Sequence, residues 1–141
     1  MNLLSLNARG VGGAPKVHAL KRLVELINPD VILIQETMVT REKSRDVFSR
    51  FLDGWEICTV DSVGLFGGLL STWNPIKVHF YPFLSFVGII IEGISKELNR
   101  NLKVVNCYDP FSDRKVFWEE VMEDGILKEE NLILGGDLNF P

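Results

Sequence analysis

The chain has 141 residues, 46% of them hydrophobic and 24% charged, and a formal net charge of −4. That size and balance describe one globular domain with a real core, neither disordered nor fibrous. The longest apolar stretch, residues 83–91, falls far short of the roughly 20 residues a membrane helix needs, and the first residues show neither a basic leader nor a cleavage-like site, so the expectation is an intracellular protein with no membrane partner.

The elements follow in chain order. Residues 2–7 (NLLSLN) read as a short apolar strand, and residues 8–15 as a glycine-rich loop. From Lys16 to Asn28 the apolar residues Val17, Leu20, Leu23, Val24 and Ile27 recur at three- and four-residue spacing. That predicts an amphipathic helix with Pro15 in its first turn, broken by Asn28-Pro29-Asp30. Residues 31–36 (VILIQE) form a continuous apolar run, too short for a helix and suited to a strand covered on both faces. Thr40 is placed to cap a helix running to about Leu52, with Val47, Phe48 and Phe51 inward.

The middle of the chain is β-rich. Residues 55–60, 64–73, 76–84 and 86–94 read as strands separated by Gly, Pro and Asn turns. Residues 102–108 (LKVVNCY) are a further buried strand. Ser112 could then cap a helix from Asp113 to about Leu127, with Phe117, Trp118, Val121 and Met122 inward, and residues 131–136 (NLILGG) are the last strand. Helices and strands alternate at both ends with hairpins between, which predicts an α/β sandwich of sheet against helices. Cys58 and Cys107 sit in strand-like contexts and read as buried, reduced thiols.

Charge is unevenly spread. Residues 1–50 hold eight Lys/Arg against five Asp/Glu, and the remaining residues hold seven against fourteen. A dedicated nucleic-acid binder is usually basic throughout. The basic third (Arg9, Lys16, Lys21, Arg22, Arg41, Lys43, Arg45, Arg50) is either a local nucleic-acid footprint or a set of solvated helix faces.

Four buried strands end on polar residues: Asn7; Gln35 and Glu36; Asn106, Tyr108 and Asp109; Asp137 and Asn139. Ligands of α/β sheets bind beyond the carboxyl ends of strands, so strands sharing a direction would gather these groups into one cleft. Such a set suits a hard divalent cation such as Mg²⁺ or Mn²⁺. Glu36 would be the metal carboxylate and Asn7 its amide neighbour. Asp137 would orient or deprotonate a water, Asn139 would steady it, and Tyr108 would donate to a phosphoryl oxygen. That is phosphodiester chemistry. Each residue alone has a plainer reading: Asn7 and the Asp137/Asn139 pair as turn formers, Glu36 as loop, Tyr108 as a core aromatic. A phosphate-cradling loop at residues 10–17 is a weaker alternative, because Pro15 and Val17 stand where a P-loop needs glycine and a hydroxyl. His18 and His79 read as a helix-face and a strand residue.

The motifs LSLNARG (4–10), PDVILIQET (29–37), NCYDP (106–110) and LGGDLN (134–139) resemble, in order and spacing, the opening motifs of the exonuclease–endonuclease–phosphatase superfamily, the DNase-I-like fold. With GGLLSTWN (67–74) and FWEEV (117–121), the chain looks most similar to the endonuclease domains of plant LINE-type retrotransposons. The resemblance implies a four-layer α/β sandwich and Mg²⁺-dependent cleavage of phosphodiester or phosphomonoester bonds. Asn7 and Glu36 match its metal-site positions, Tyr108 its phosphate-contacting tyrosine, and Asp137 and Asn139 the pair that activates and positions the attacking water. It also implies DNA as partner, a nuclear location, and a reverse transcriptase domain in a longer parent. Asp109 departs from the small or apolar residue usual there, and the family's domain continues past the last motif to a further aspartate and an Asp-His pair. The expectation is therefore the N-terminal part of that sandwich, truncated. It would be an endonuclease impaired or inactive alone, and prone to self-association. A phosphatase of the same superfamily and a non-catalytic remnant are the alternatives.

Overall fold

The computed structural model describes residues 1–61, 67–107 and 113–136. Two four-stranded sheets lie face to face. The first contains β1 (Leu3–Asn7), β2 (Val31–Gln35), β3 (Glu56–Val60) and β4 (Leu69–Trp73), in the order β1-β2-β4-β3. The second contains β5 (Val78–Ser85), β6 (Gly88–Ser95), β7 (Arg100–Cys107) and β8 (Leu132–Gly136), in chain order. The β1–β2 and β7–β8 pairs are parallel, and the other neighbours run antiparallel. Helices α1 (Ala14–Ile27) and α2 (Arg41–Ser49) cover the outside of the first sheet, and α3 (Arg114–Asp124) covers the second. The result is helix, sheet, sheet, helix: the four-layer arrangement that the resemblance implies.

Strand β2 shows why the layers form. All five of its residues are buried. Val31 and Leu33 join the core between the sheets with Leu69, Trp73, Ile89, Ile91 and Val104. Ile32 and Ile34 turn the other way, onto Leu20 of α1 and Val47 and Phe48 of α2. Alternate side chains of a strand point to opposite faces, so a continuous apolar run needs cover on both. Each such side chain contributes about 1.5–3 kcal/mol by leaving water.

The helix ends follow local chemistry. Pro15 lies in the first turn of α1, and Asn28 closes the helix in a left-handed conformation with its N–H on Val24 O, 2.8 Å away. Thr40 caps α2, its hydroxyl oxygen accepting from Lys43 N–H at 3.2 Å.

Several expected boundaries move. The helix after Thr40 ends at Ser49 rather than Leu52, and Leu52 is buried beyond it. Strand β4 begins at Leu69, with Gly67 and Gly68 outside it; residues 64–66 of the expected strand lie outside the described residues. The third helix begins at Arg114 with Asp113 in the N-cap position, and it stops at Asp124, where Gly125 takes a left-handed turn into a 3-10 turn at Ile126–Lys128. Ser112 lies outside the described residues. Met122 is 67% exposed, because the buried stripe of α3 centres on Trp118 and Val121 and Met122 falls at its margin. Cys107 is buried as expected, whereas Cys58 is only half-buried.

Candidate active site

The carboxyl ends of β1, β2, β7 and β8 lie together at one end of the sandwich. Asn7 registers with Gln35 across the β1–β2 pair, and Asn106 with Gly135 across β7–β8. The Asn106 side chain reaches over to Gln35, so the tips of the two sheets meet.

The tip of β2 is held from both sides. On the β1 side, backbone bonding continues past the strand ends. Ala8 N–H donates to Gln35 O at 2.9 Å, Gly10 N–H to Glu36 O at 2.7 Å, and Val11 N–H to Thr37 O at 3.0 Å. Ala8 and Val11 are buried, which anchors this loop. Asn7 Oδ1 accepts from Arg9 N–H at 3.1 Å, a side-chain turn that swings the chain out of β1. On the other side, Gly67 O accepts from Met38 N–H at 2.5 Å and from the Thr37 hydroxyl at 2.9 Å. Gly67 is needed for this fit, since a Cβ there would lie 2.4 Å from Glu36 Cα.

Glu36 itself lies one residue past the strand, with φ +53°. Seven described residues other than glycine have positive φ. Four are Asn or Asp (Asn28, Asn99, Asp113, Asn131), which tolerate that region. The other three, Arg9, Glu36 and Met38, are all at the tips of β1 and β2. Such a conformation costs roughly 1–2 kcal/mol per residue and persists only where the surroundings impose it. Here the backbone bonds from Gly10 and to Gly67 impose it.

Beneath the tips lies a polar network. Asn106 Nδ2 donates to Leu70 O at 2.9 Å, to Ile34 O at 3.2 Å and to Ser71 Oγ at 3.2 Å. Asn106 Oδ1 accepts from Gln35 Nε2 at 3.0 Å, and Gln35 Nε2 also donates to Ser5 Oγ at 3.2 Å. Gln35 and Asn106 therefore serve as core groups between the sheets rather than as open cleft residues. Their place in the strand alternation, two residues after Leu33 and Val104, was the signal for this.

Of the residues expected at the site, Asn7 and Glu36 are brought to adjacent strand tips, and both are half-buried. Tyr108, Asp137 and Asn139, along with Asp109, lie outside the described residues. Among the described residues no hydrogen bond or ion pair engages the Glu36 carboxylate. None of their His, Cys, Asp and Glu side chains gather in groups of three or more that could hold a metal. The donor set at the tips is a carboxylate and an amide oxygen. Those are the hard oxygen ligands that Mg²⁺ accepts in small number, with water and phosphate oxygens completing its shell. The residues present thus fit a divalent cation.

The first 50 residues carry an exposed excess of basic charge. All eight Lys/Arg of the first 50 residues are exposed. Arg50 pairs with Asp46 at 2.7 Å, and Arg41 lies near Glu42 and Asp61. His18 is exposed on α1 and His79 on β5. Burial pushes the Cys58 thiol up, and the nearby Arg45 charge partly offsets it. No described helix is long and apolar enough to cross a membrane.

Solved structures share this architecture. An AP endonuclease from Leishmania major superposes with a TM-score of 0.71 at 16% identity, over 97% of this chain and 54% of its own. TDP2 of D. rerio, complexed with single strand DNA product, gives 0.72 at 16% identity, over 100% of this chain and 61% of its own. The endonuclease domain of TRAS1, a telomere-specific non-LTR retrotransposon, gives 0.64 at 14% identity, over 96% and 59%. The chain thus spans a little over half the length of these structures, and at such identities the likeness is one of fold. No curated protein matches the chain significantly. The family model for the endonuclease/exonuclease/phosphatase family matches residues 1–141. Matched along its whole length, and folded as the layered sandwich described, the chain belongs to the endonuclease/exonuclease/phosphatase family.

Proposed function

We propose that this chain is part of a divalent-metal-dependent phosphodiesterase domain acting on DNA, of the LINE-type retroelement class. The observation that carries the reading is Glu36: a half-buried carboxylate, unpartnered among the described residues, held in a left-handed conformation beside Asn7 where four strand tips meet. Glu36 and Asn7 would hold Mg²⁺ or Mn²⁺, which when bound polarises a phosphate and neutralises its charge. Asp137, directly after the end of β8, would orient the attacking water and accept its proton, with Asn139 steadying that carboxylate. Tyr108, two residues after Asn106, would donate its hydroxyl proton to a phosphoryl oxygen. The exposed basic residues of α1 and α2 and of the loop at Arg9 would steer the DNA backbone.

DNA as substrate is favoured over a small phosphorylated molecule by this basic third and by the fold shared with DNA-processing enzymes. With about half the length of those structures, the 141 residues alone would be weak or inactive, and the full activity would belong to a longer chain carrying a reverse transcriptase domain, in the nucleus. Plasmid nicking in Mn²⁺ by a longer chain that carries these residues, run beside phosphate release from a phosphomonoester, tests the reading. Nicking that is lost in Glu36→Gln supports it. Phosphate release without nicking would replace it with a phosphatase.

A further inference from the structure

We propose that Gln35 and Asn106 are positioning residues: a clamp of two amides between the sheets that sets where the tip of β2 carries Glu36. The inference rests on the metal-binding role given to Glu36 above.

The orientation of both amides is forced. Asn106 meets two backbone carbonyls, Ile34 O and Leu70 O, and only its NH₂ edge can face them. Its Oδ1 must then point at Gln35, which must in turn present its own NH₂. Both NH₂ groups and Asn106 Oδ1 have partners, and the two carbonyls belong to neighbouring strands of the opposite sheet. Asn106 thereby fixes β7 against β2 and β4 at one offset.

Cohesion alone does not call for such a device. Most of the layer between the sheets is apolar, and its packed core already supplies cohesion between them. Apolar packing, however, tolerates small slips, whereas a satisfied amide network specifies one arrangement. Of the buried polar residues of this layer, Gln35 and Asn106 lie at the end where the strand tips meet and Ser71, in mid-strand, is bonded to Asn106, while Ser95 lies at the far end of β6. Gln35 is the residue before Glu36, and Asn106 lies two before Tyr108. A slip between the sheets here moves the two halves of the site relative to each other.

The experiment uses Gln35→Met, which keeps volume and removes the bond, because Asn106→Leu strands two carbonyls and is more apt to unfold. Amide hydrogen exchange is read in metal-free protein, and Mn²⁺ affinity by calorimetry in wild type, Gln35→Met, Glu36→Gln and the double variant. The expected result is faster exchange at the Gly10 and Met38 amides, which hold the β2 tip, with Leu33 in mid-strand unchanged. Mn²⁺ affinity falls about 10-fold, and the double variant binds no more weakly than Glu36→Gln. Unchanged exchange at Gly10 and Met38, or uniform acceleration of all slow amides, overturns the proposal and leaves the clamp as cohesion only. Local acceleration in a protein whose wild type shows no Glu36-dependent Mn²⁺ binding upholds the placement of the tip and overturns the metal reading instead.

Discussion

Replacing Gly67 by alanine should move Glu36 without touching it chemically. The added methyl would lie 2.4 Å from Glu36 Cα, 2.8 Å from its Cβ and 2.9 Å from its Cγ. Carbon atoms in contact settle at about 3.5–4.0 Å, so the gap is short by roughly 1 Å. The clashing atom is backbone, not a flexible side-chain end, and it cannot simply rotate away. Retreat by the 67–68 segment would stretch the bonds from Met38 N–H and the Thr37 hydroxyl to Gly67 O. Retreat by Glu36 would stretch the bond from Gly10 N–H to Glu36 O. Overpacking of this kind costs about 1–3 kcal/mol. For a chain of this length that is a fall in Tm of roughly 3–10 °C. A displacement of about 1 Å at a reacting group costs on the order of 100-fold in rate, so metal affinity or nicking should fall more than stability does. Thermal melts with Mn²⁺ titration check both. A Gly67→Ala protein that melts and binds Mn²⁺ as wild type does would refute the argument that Gly67 sets the position of Glu36.

Other outcomes follow from the same packing. Phe48→Ala removes a fully buried ring from the core under α2 and should cost about 3–5 kcal/mol in urea unfolding. Thr40→Ala loses the cap bond to Lys43 N–H and should cost about 1 kcal/mol. Since burial raises the Cys58 thiol and the Arg45 charge lowers it, Arg45→Met should raise it further. The thiolate needed for reaction then appears only at higher pH, so Cys58 should label with a thiol reagent more slowly at pH 8 in the variant than in wild type. Strands β1 and β8 lie at one edge of the sandwich, and their leucine and isoleucine residues are half-buried. Open parallel edges invite strand pairing, so the 141-residue chain alone should show concentration-dependent association by analytical ultracentrifugation. A monodisperse monomer at high concentration would contradict this.

Much of this architecture was legible in the sequence because its strands are unusually explicit. The continuous apolar run at 31–36 called for cover on both faces, the segment 102–108 read as a buried strand, and they gave the central strands β2 and β7. The helix at Thr40 announced itself by its cap. The carboxyl ends of the four strands do converge: parallel pairing aligns β1 with β2 and β7 with β8, and the Gln35–Asn106 bond joins the ends of the two pairs. What was not legible is how those ends divide their labour. Gln35 and Glu36 look like one polar pair, yet Gln35 follows the strand alternation into the layer between the sheets and Glu36 leaves it through a left-handed turn. That turn is imposed by Gly67, thirty-one residues away in sequence, and local propensity carries no trace of such a neighbour. Met122 was misplaced for a similar reason: α3 offers a narrow stripe to the sheet, and helical spacing alone does not give its width.

Calorimetric titration of Mn²⁺ into wild type and Glu36→Gln tests the central claim most directly. The Glu36 carboxylate forms no hydrogen bond or ion pair among the described residues, so the substitution should leave stability within about 0.5 kcal/mol. The predicted result is one Mn²⁺ site in wild type that is weakened at least about 10-fold or lost in Glu36→Gln, with matching melting curves. Identical isotherms for the two proteins, or no Mn²⁺ binding by wild type, would contradict the assignment of Glu36 as the metal carboxylate.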